Sequence, residues 1–220
     1  SIPYFWGTMG IGYRQSVASP ESWAALFESD EFAGRISVLN EKNLIQMALL
    51  YLGYSLNTTD PAEIDAAVDL LIRAKPNIKA FTPDTGQDLL IAGEVDLCME
   101  WNGDILQVME EDDDLAYVVP KEGGLLWEDD MAIPKGGPNP DAALEWIDFN
   151  LDAEVFGAIA TYVRFPSPNE AAKAHIPAED LENPSMYPPD EVLDKCEVSI
   201  YKGEEVESLY ETALTRVLAA

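Results

Sequence analysis

Residues 123–134 read GGLLWEDDMAIP and combine a strand pattern with a run of acidic residues. The apolar residues at both ends of this stretch predict a buried β-strand, and a proline closes it. Between them, Trp127 is followed by three carboxylates, Glu128, Asp129 and Asp130. Because burial of an unpaired charge is costly, the position of these acids requires an explanation.

The two faces of the predicted strand differ in chemistry. Side chains alternate along a strand, so Trp127 and Asp129 point to one side, and Glu128 and Asp130 point to the other. A tryptophan face and a carboxylate on one wall suit an organic ammonium ion, through cation–π attraction and charged hydrogen bonds. The alternative is that the tryptophan is an ordinary core residue and the acids are exposed. The residues alone support both interpretations about equally.

A second tryptophan has a similar setting. The segment MEWNGD places Trp101 at the end of a strand predicted from Val95, with acidic residues on both sides. The dipeptide Asn102-Gly103 that follows is typical of a turn. Both tryptophans therefore stand at or near the ends of predicted strands, where binding residues are often found.

The charge of the chain is strongly negative. It has 13 Lys+Arg against 41 Asp+Glu, a formal net charge of −28. Such a field repels nucleic acids and anionic membrane surfaces and attracts cations. We therefore expect no nucleic-acid partner. Solubility in a salty habitat is the simpler explanation for the overall excess, but it does not explain acids inside an apolar strand.

The residues needed for common catalytic or metal-binding chemistry are sparse. His175 is the only histidine, and Cys98 and Cys196 are far apart in the sequence. No nucleophile elbow, phosphate-binding loop or zinc motif occurs. The sequence predicts that the protein is not an enzyme and holds no metal or cofactor; an enzyme is the weakest of three hypotheses. No apolar run approaches the length of a membrane span, and we expect no signal peptide within these residues.

Strand and helix patterns alternate along the chain, which predicts an α/β architecture. In the segment TTDPAEID, Asp60, Pro61 and Glu63 predict the start of a capped helix. Asn40 is predicted to open the preceding helix, and residues 165–189 to be irregular. Predicted strands cover about 1–14, 35–39, 95–101, 115–120 and 125–133. Predicted helices cover about 22–28, 40–54, 61–75, 85–92, 104–114, 140–151, 153–163 and 205–218.

Six segments, in this order, resemble the periplasmic spermidine/putrescine-binding proteins of ABC transporters. They are SIPYFWGTMGIGY, SWAALF, LIQMALLYLGYSLNTTDP, EWNGD, VVPKEGGLLWEDDMAIP and FPSPN. The resemblance implies a two-lobed α/β fold of the type II periplasmic-binding-protein class. Residues 7–128 would form the second, C-terminal lobe. Residues 1–6 and 129–220 would form the crossing strands and the C-terminal part of the first lobe, and an N-terminal portion of such a receptor would be absent.

The resemblance also implies a function and a location. It implies an extracytoplasmic solute-binding protein, exported to the periplasm, that delivers a putrescine- or spermidine-like cation to the permease subunits of an ABC importer. Two other interpretations stay open at this point. One is a receptor for a different organic amine, and the other is a scaffold or interaction protein that kept the fold without a ligand.

Site residues follow from the same resemblance. Trp127 and Asp129 match a tryptophan and an aspartate that bind an amine, and Trp101 matches a ring that packs on the polyamine methylenes. At the start of a second-lobe helix the spermidine receptors carry two acids that hold the far amine. This chain has Asn40 and Asn43 there, with Glu41 between them, which predicts weakened binding of spermidine in the usual orientation. A polar contact of the family falls near Ser199.

Overall fold

The longest strand of the protein begins at the second residue and lies in the middle of the sheet. In the computed structural model, which describes residues 1–220, strand β1 (Ile2–Arg14) has 13 residues. Its first half pairs with one strand and its second half with two others, always in the antiparallel sense. The other strands are β2 (Ile36–Leu39), β3 (Ile78–Thr82), β4 (Leu97–Trp101), β5 (Leu115–Val118), β6 (Leu125–Met131) and β7 (Glu197–Val198).

The strands form one seven-stranded sheet in the order β3-β2-β4-β1-β6-β7, and β5 also pairs with β1. Strand β2 is parallel to β3 and to β4, and β6 is parallel to β7. Parallel neighbours need crossover connections, and helices provide them here. The predicted strands near residues 1–14, 35–39, 115–120 and 125–133 are confirmed.

Ten α-helices accompany the sheet, and the predicted α/β architecture is confirmed. They are α1 (Ala24–Phe27), α2 (Lys42–Tyr51), α3 (Pro61–Ala74), α4 (Gly86–Ile91), α5 (Asn102–Met109), α6 (Pro140–Leu151), α7 (Ala153–Val163), α8 (Ala178–Leu181), α9 (Asp190–Leu193) and α10 (Glu204–Ala219). Short 3₁₀ turns cover Lys75–Asn77 and Glu170–His175. None of the helices combines the length and the apolar character that crossing a membrane requires.

The main hydrophobic core contains 30 buried residues and lies between the sheet and helices α2, α3 and α10. Helix α2 is buried along most of its length, as its almost uniformly apolar sequence predicts. Helix α10 contributes Tyr210, Ala213 and Val217 to this core. It therefore packs on residues assigned above to the second lobe, although the predicted boundaries place it in the first. The division into lobes itself stays a prediction.

One local prediction is wrong: Asn102 and Gly103 form the first turn of α5 rather than a separate turn. The reason is tertiary, because the buried Asn102 side chain connects distant segments. Its Oδ1 accepts a hydrogen bond from the Thr8 N–H at 3.2 Å, and its Nδ2 donates to the Ser185 carbonyl oxygen at 3.3 Å. The strand before it begins at Leu97, two residues later than predicted.

Two helix starts also differ in detail from the predictions. Asp60 caps α3 as expected and accepts a hydrogen bond from the Ala62 N–H at 2.9 Å. Glu63, however, accepts a hydrogen bond from the Thr58 hydroxyl, which in turn accepts one from the Asp60 N–H at 3.1 Å. In a capping box, Glu63 would accept the hydrogen bond from the Asp60 N–H directly. Here the Thr58 hydroxyl lies between these two groups and bonds to both. Helix α2 begins at Lys42 rather than at Asn40.

Strand β3 was not predicted, and the segment expected to be irregular contains one 3₁₀ turn and α8. Strand β3 has only five residues. It begins directly after the 3₁₀ turn Lys75–Asn77, which contains Pro76 and follows α3. Its pairing with β2 across the sheet stabilises it, and a short local pattern does not reveal such long-range pairing.

The register of β1 brings particular side chains together. Phe5 pairs with Asp129 and Gly7 with Trp127 across the β1–β6 ladder. On the opposite edge of β1, Met9 pairs with Trp101. Because Gly7 has no side chain, the Trp127 ring lies directly over it, and a Cβ at Gly7 would be 2.7 Å from Cζ2 of that ring.

This close approach leads to a prediction about Gly7→Ala. The added methyl group would clash with Asn102 Oδ1 and lie 2.7 Å from the Trp127 ring, so both side chains must shift, and overpacking of this kind costs about 1–3 kcal/mol. Urea unfolding should show the loss of stability, and near-ultraviolet circular dichroism should show a changed tryptophan signal. Gly137→Ala is the control, because a Cβ there meets only the Pro134 carbonyl oxygen, at 3.2 Å. Equal stability of the two variants would contradict the prediction.

Candidate functional site

The carboxyl ends of the parallel strands meet at one edge of the sheet. Strand β2 is followed by Asn40 and Glu41, β3 by Asp84, and β4 ends at Trp101. In α/β sheets, ligands bind beyond the carboxyl ends of the strands. Acidic and aromatic side chains therefore collect where the fold favours a ligand.

A cavity of about 300 Å³ lies at this edge. That volume is at the lower end of the range for small-molecule sites, about 300–1,000 Å³. Four aromatic residues and three aspartates line it, and no basic residue does. The lining residues are Phe5, Asp84, Trp101, Asp104, Trp127, Asp129 and Phe165. A wider hollow beside α1, of about 580 Å³, has a single aromatic ring and a lysine on its wall.

The aromatic rings of the cavity contact one another edge to face. The ring centroids of Trp101 and Trp127 are 5.9 Å apart, with an interplanar angle of 80°. Those of Trp127 and Phe165 are 5.0 Å apart at 83°. Rings at nearly right angles form a corner that offers both apolar surface and aromatic faces. The indole N–H of Trp127 is buried and has no hydrogen-bond partner.

The predicted faces of β6 are confirmed. All three acids are exposed, but Asp129 lines the cavity together with the half-buried Trp127, whereas Glu128 and Asp130 do not. Trp101, predicted from a separate segment, lines the same cavity. The structure therefore brings together the three residues that the sequence singles out most strongly. Their role in binding a ligand stays a prediction.

The other four predicted site residues lie outside the cavity. Asn40 and Glu41 are exposed where β2 ends, and the buried Asn43 donates a hydrogen bond from Nδ2 to Glu41 Oε2 at 3.3 Å. Ser199 accepts a hydrogen bond from the Gln46 side chain at 2.8 Å in a separate, narrow crevice. These partners account for the local positions of Asn43 and Ser199. A ligand role for the four residues is still only predicted.

Acidic groups beside the cavity repel one another. Burial, and secondarily the charge of Asp84, raises the pKa of Asp104 to about 6. Burial also raises the pKa of Asp84, and a hydrogen bond from the Trp101 side chain partly offsets this. Glu41 is exposed as a residue, but partial desolvation of its carboxyl group, followed by the Asp84 charge, raises its pKa as well. A bound cation would relieve this concentration of negative charge.

Glu100 lies behind the cavity and is 0% exposed. Its Oε1 accepts a hydrogen bond from the Gly86 N–H at 2.9 Å, while its Oε2 has no partner. Burial, followed by the charges of Asp84 and Asp104, raises the pKa of Glu100 to about 8. The carboxyl group is therefore mainly protonated at neutral pH, which limits the cost of burying it.

Sequence reasoning did not assign Phe5, Asp84, Asp104 or Phe165 to the site, nor Glu100 to its surroundings. Three of these lie inside segments already singled out: Phe5 in SIPYFWG, Asp104 in EWNGD and Phe165 in FPSPN. Recognition of β3 would have placed Asp84 at the end of a strand parallel to β2.

These features are typical of a ligand-binding protein of the α/β class, with a small anionic site walled by aromatic rings. The comparison with known families agrees. The family described as bacterial extracellular solute-binding protein matches residues 1–186, and the chain belongs to this family. The fold class predicted from the sequence is confirmed by solved structures of the type II periplasmic-binding-protein fold.

The names of individual relatives refer to spermidine and putrescine. The spermidine/putrescine-binding periplasmic protein of Salmonella typhimurium is 37% identical over 200 residues, which is 90% of this chain and 58% of that protein. A putative spermidine/putrescine ABC transporter structure from Listeria monocytogenes has a TM-score of 0.93 at 33% identity, over 99% of this chain and 68% of its own. The structure of PotD, the spermidine/putrescine ABC transporter substrate-binding protein of Streptococcus pneumoniae, has a TM-score of 0.88 at 34% identity. The match covers 100% of this chain and 68% of the PotD chain.

The chain thus spans little more than half the length of the curated Salmonella relative, 58% of it. The resemblance to periplasmic spermidine/putrescine-binding proteins is confirmed. The chain belongs to a family of extracellular solute-binding proteins, and a relative that is 37% identical is named as a spermidine/putrescine-binding protein.

The buried acid Glu100 predicts how stability depends on pH. A carboxyl group with a raised pKa binds more protons in the folded than in the unfolded protein, so stability falls as the pH rises from about 4.5 through about 8. Glu100→Gln removes this loss. One pKa unit corresponds to about 1.4 kcal/mol, so the variant should gain a few kcal/mol over wild type at pH 8.5 relative to pH 5.

Urea unfolding at these two pH values measures the effect. The control is Glu111→Gln, which neutralises an exposed acid beyond the end of α5. If both variants show the same change between the two pH values, Glu100 does not carry the raised pKa.

Proposed function

We propose that the chain is the ligand-binding part of a periplasmic receptor that captures a putrescine- or spermidine-like cation for an ABC importer. The single observation that carries this proposal is the lining of the cavity, four aromatic residues and three aspartates without a basic residue. The receptor binds its ligand without chemical change. It is exported, and its partners are the small organic cation and the permease subunits.

The chemistry of the cavity favours an organic cation over a metal ion. A polyamine has ammonium groups that need carboxylate acceptors and methylenes that need apolar contact. Aromatic faces attract ammonium groups and exclude water. A calcium or magnesium ion prefers a shell of oxygen ligands, and no group of three or more acidic, histidine or cysteine side chains is arranged to hold a metal.

Within the cavity, Asp129 is the acceptor for one ammonium group, and Trp127 and Trp101 contact the ligand's methylenes. Asp129 pairs with Phe5 across the β1–β6 ladder, and both residues line the cavity, so a cation at this carboxylate would also have apolar surface nearby. The family of the chain and the printed names of its relatives support the choice of a polyamine.

Calorimetry of the complete gene product with putrescine tests the proposal, with Asp129→Asn as the variant. A hydrogen bond to a charged group contributes about 1.5–3 kcal/mol, so the variant should bind about 10- to 100-fold more weakly. Asp130→Asn is the matched control. It removes the same charge from the adjacent position on the opposite face of β6, where the side chain does not line the cavity.

The outcomes separate the proposed function from its alternatives. Strong loss in Asp129→Asn with little change in Asp130→Asn supports a polyamine receptor. If the wild-type protein binds neither putrescine nor spermidine, the proposal fails, and a scaffold or a receptor for another ligand becomes the better account.

A further inference from the structure

Arg164 forms a network of ion pairs directly beside the cavity. Its Nη1 donates to Asp180 Oδ1 at 2.7 Å, and its Nη2 lies 2.8 Å from Glu110 Oε1. The side chains of Arg164 and Asp180 are only 16% and 4% exposed. Breaking one partner of a shielded pair leaves an uncompensated charge, so this contact is more consequential than a pair on the surface.

The backbone of Arg164 is also unusual. It is the only residue other than glycine with a positive φ, 62°. It ends α7, where its N–H donates to the Ala160 carbonyl oxygen at 2.9 Å. Glycine is the usual residue in this left-handed position, because it avoids the strain from a Cβ. A strained residue persists where the surrounding structure holds it, and such residues cluster at functional sites.

Helix α5 supplies the surface against which this segment packs. Gly103, Gln107 and Glu110 are spaced so that they lie along one face of the helix. Gln107 donates a hydrogen bond from Nε2 to the Val163 carbonyl oxygen at 3.0 Å, and Glu110 pairs with Arg164. Val163, the last residue of α7, and Arg164, which follows it, are therefore both bonded to α5, the helix that begins directly after Trp101.

The next residue along the chain, Phe165, belongs to the cavity wall. Its ring contacts Trp127 edge to face, with the centroids 5.0 Å apart. It also covers Gly103 so closely that a Cβ there would lie 2.5 Å from its Cδ1 atom. The position of this ring depends on the backbone direction at Arg164.

We propose that Arg164 is a positioning residue of the ligand cavity. Its left-handed backbone turns the chain out of α7, and its ion pairs to Glu110 and Asp180 fix that turn, so that Phe165 is held against Trp127. Arg164 itself does not line the cavity and acts on the ligand only through Phe165. The inference deepens the proposed function and rests on it.

The test compares Arg164→Gly with Arg216→Gln. Glycine keeps the left-handed backbone but removes both ion pairs. Arg216→Gln is the control, since it breaks an exposed pair with Asp65 of 2.5 Å, far from the cavity in the last helix. In calorimetry of the complete gene product, Arg164→Gly should weaken putrescine binding roughly 3- to 30-fold, and the control should leave it unchanged. Arg164→Lys, which keeps the charge, should fall between wild type and Arg164→Gly.

Two further readouts separate positioning from a loss of stability alone. The near-ultraviolet circular dichroism of tryptophan should change in unliganded Arg164→Gly, because the Phe165–Trp127 contact loosens. In a double-mutant cycle, Arg164→Gly should add little to the loss caused by Phe165→Leu, because both act through one ring.

Fully additive losses in that cycle, or putrescine affinity in Arg164→Gly equal to that of the control, would overturn the role of Arg164 while leaving the proposed function intact. Absence of putrescine binding by the wild-type protein would overturn both.

Discussion

The pairing of β1 with β6 on one edge and with β4 on the other is the constraint on which the rest of the structure depends. It sets Trp127 and Asp129 across from Gly7 and Phe5, and it places Trp101 beside the same strand. Since side chains alternate with a period of two, a slip of one residue in this ladder would turn Trp127 and Asp129 away from the cavity. One strand of 13 residues therefore supplies Phe5 and positions both tryptophans of the cavity.

The electrostatics of the cavity follow from the same topology. Parallel strands bring their carboxyl ends to one edge, and this chain places acids after β3 and β4, with Glu100 buried in β4 itself. Burial raises the pKa values of Asp84, Asp104 and Glu100, and the charge of Asp84 adds to the shifts of the other two. A cation bound beside Asp84 and Asp104 would favour their ionised forms, so the site attracts a cationic ligand.

Local patterns in the sequence singled out Trp101, Trp127 and Asp129 but not the other four residues of the cavity lining. Alternation along β6 placed Trp127 and Asp129 on one face, because that property depends only on neighbouring residues. Asp84 was missed because β3 is stabilised by pairing across the sheet, and Asp104 because the Asn-Gly dipeptide before it opens a helix through long-range hydrogen bonds. Phe165 reaches the cavity only through packing between α7 and α5, which no local pattern contains. The two-lobed fold came from the resemblance rather than from periodicity.

A crystal structure of the complete gene product grown with putrescine tests the central claim most directly. The account predicts the diamine inside the aromatic cavity, with one ammonium nitrogen about 2.7–2.9 Å from the Asp129 carboxylate and the methylenes against Trp127 and Trp101. An empty cavity at saturating putrescine, or the diamine bound elsewhere on the protein, would contradict it.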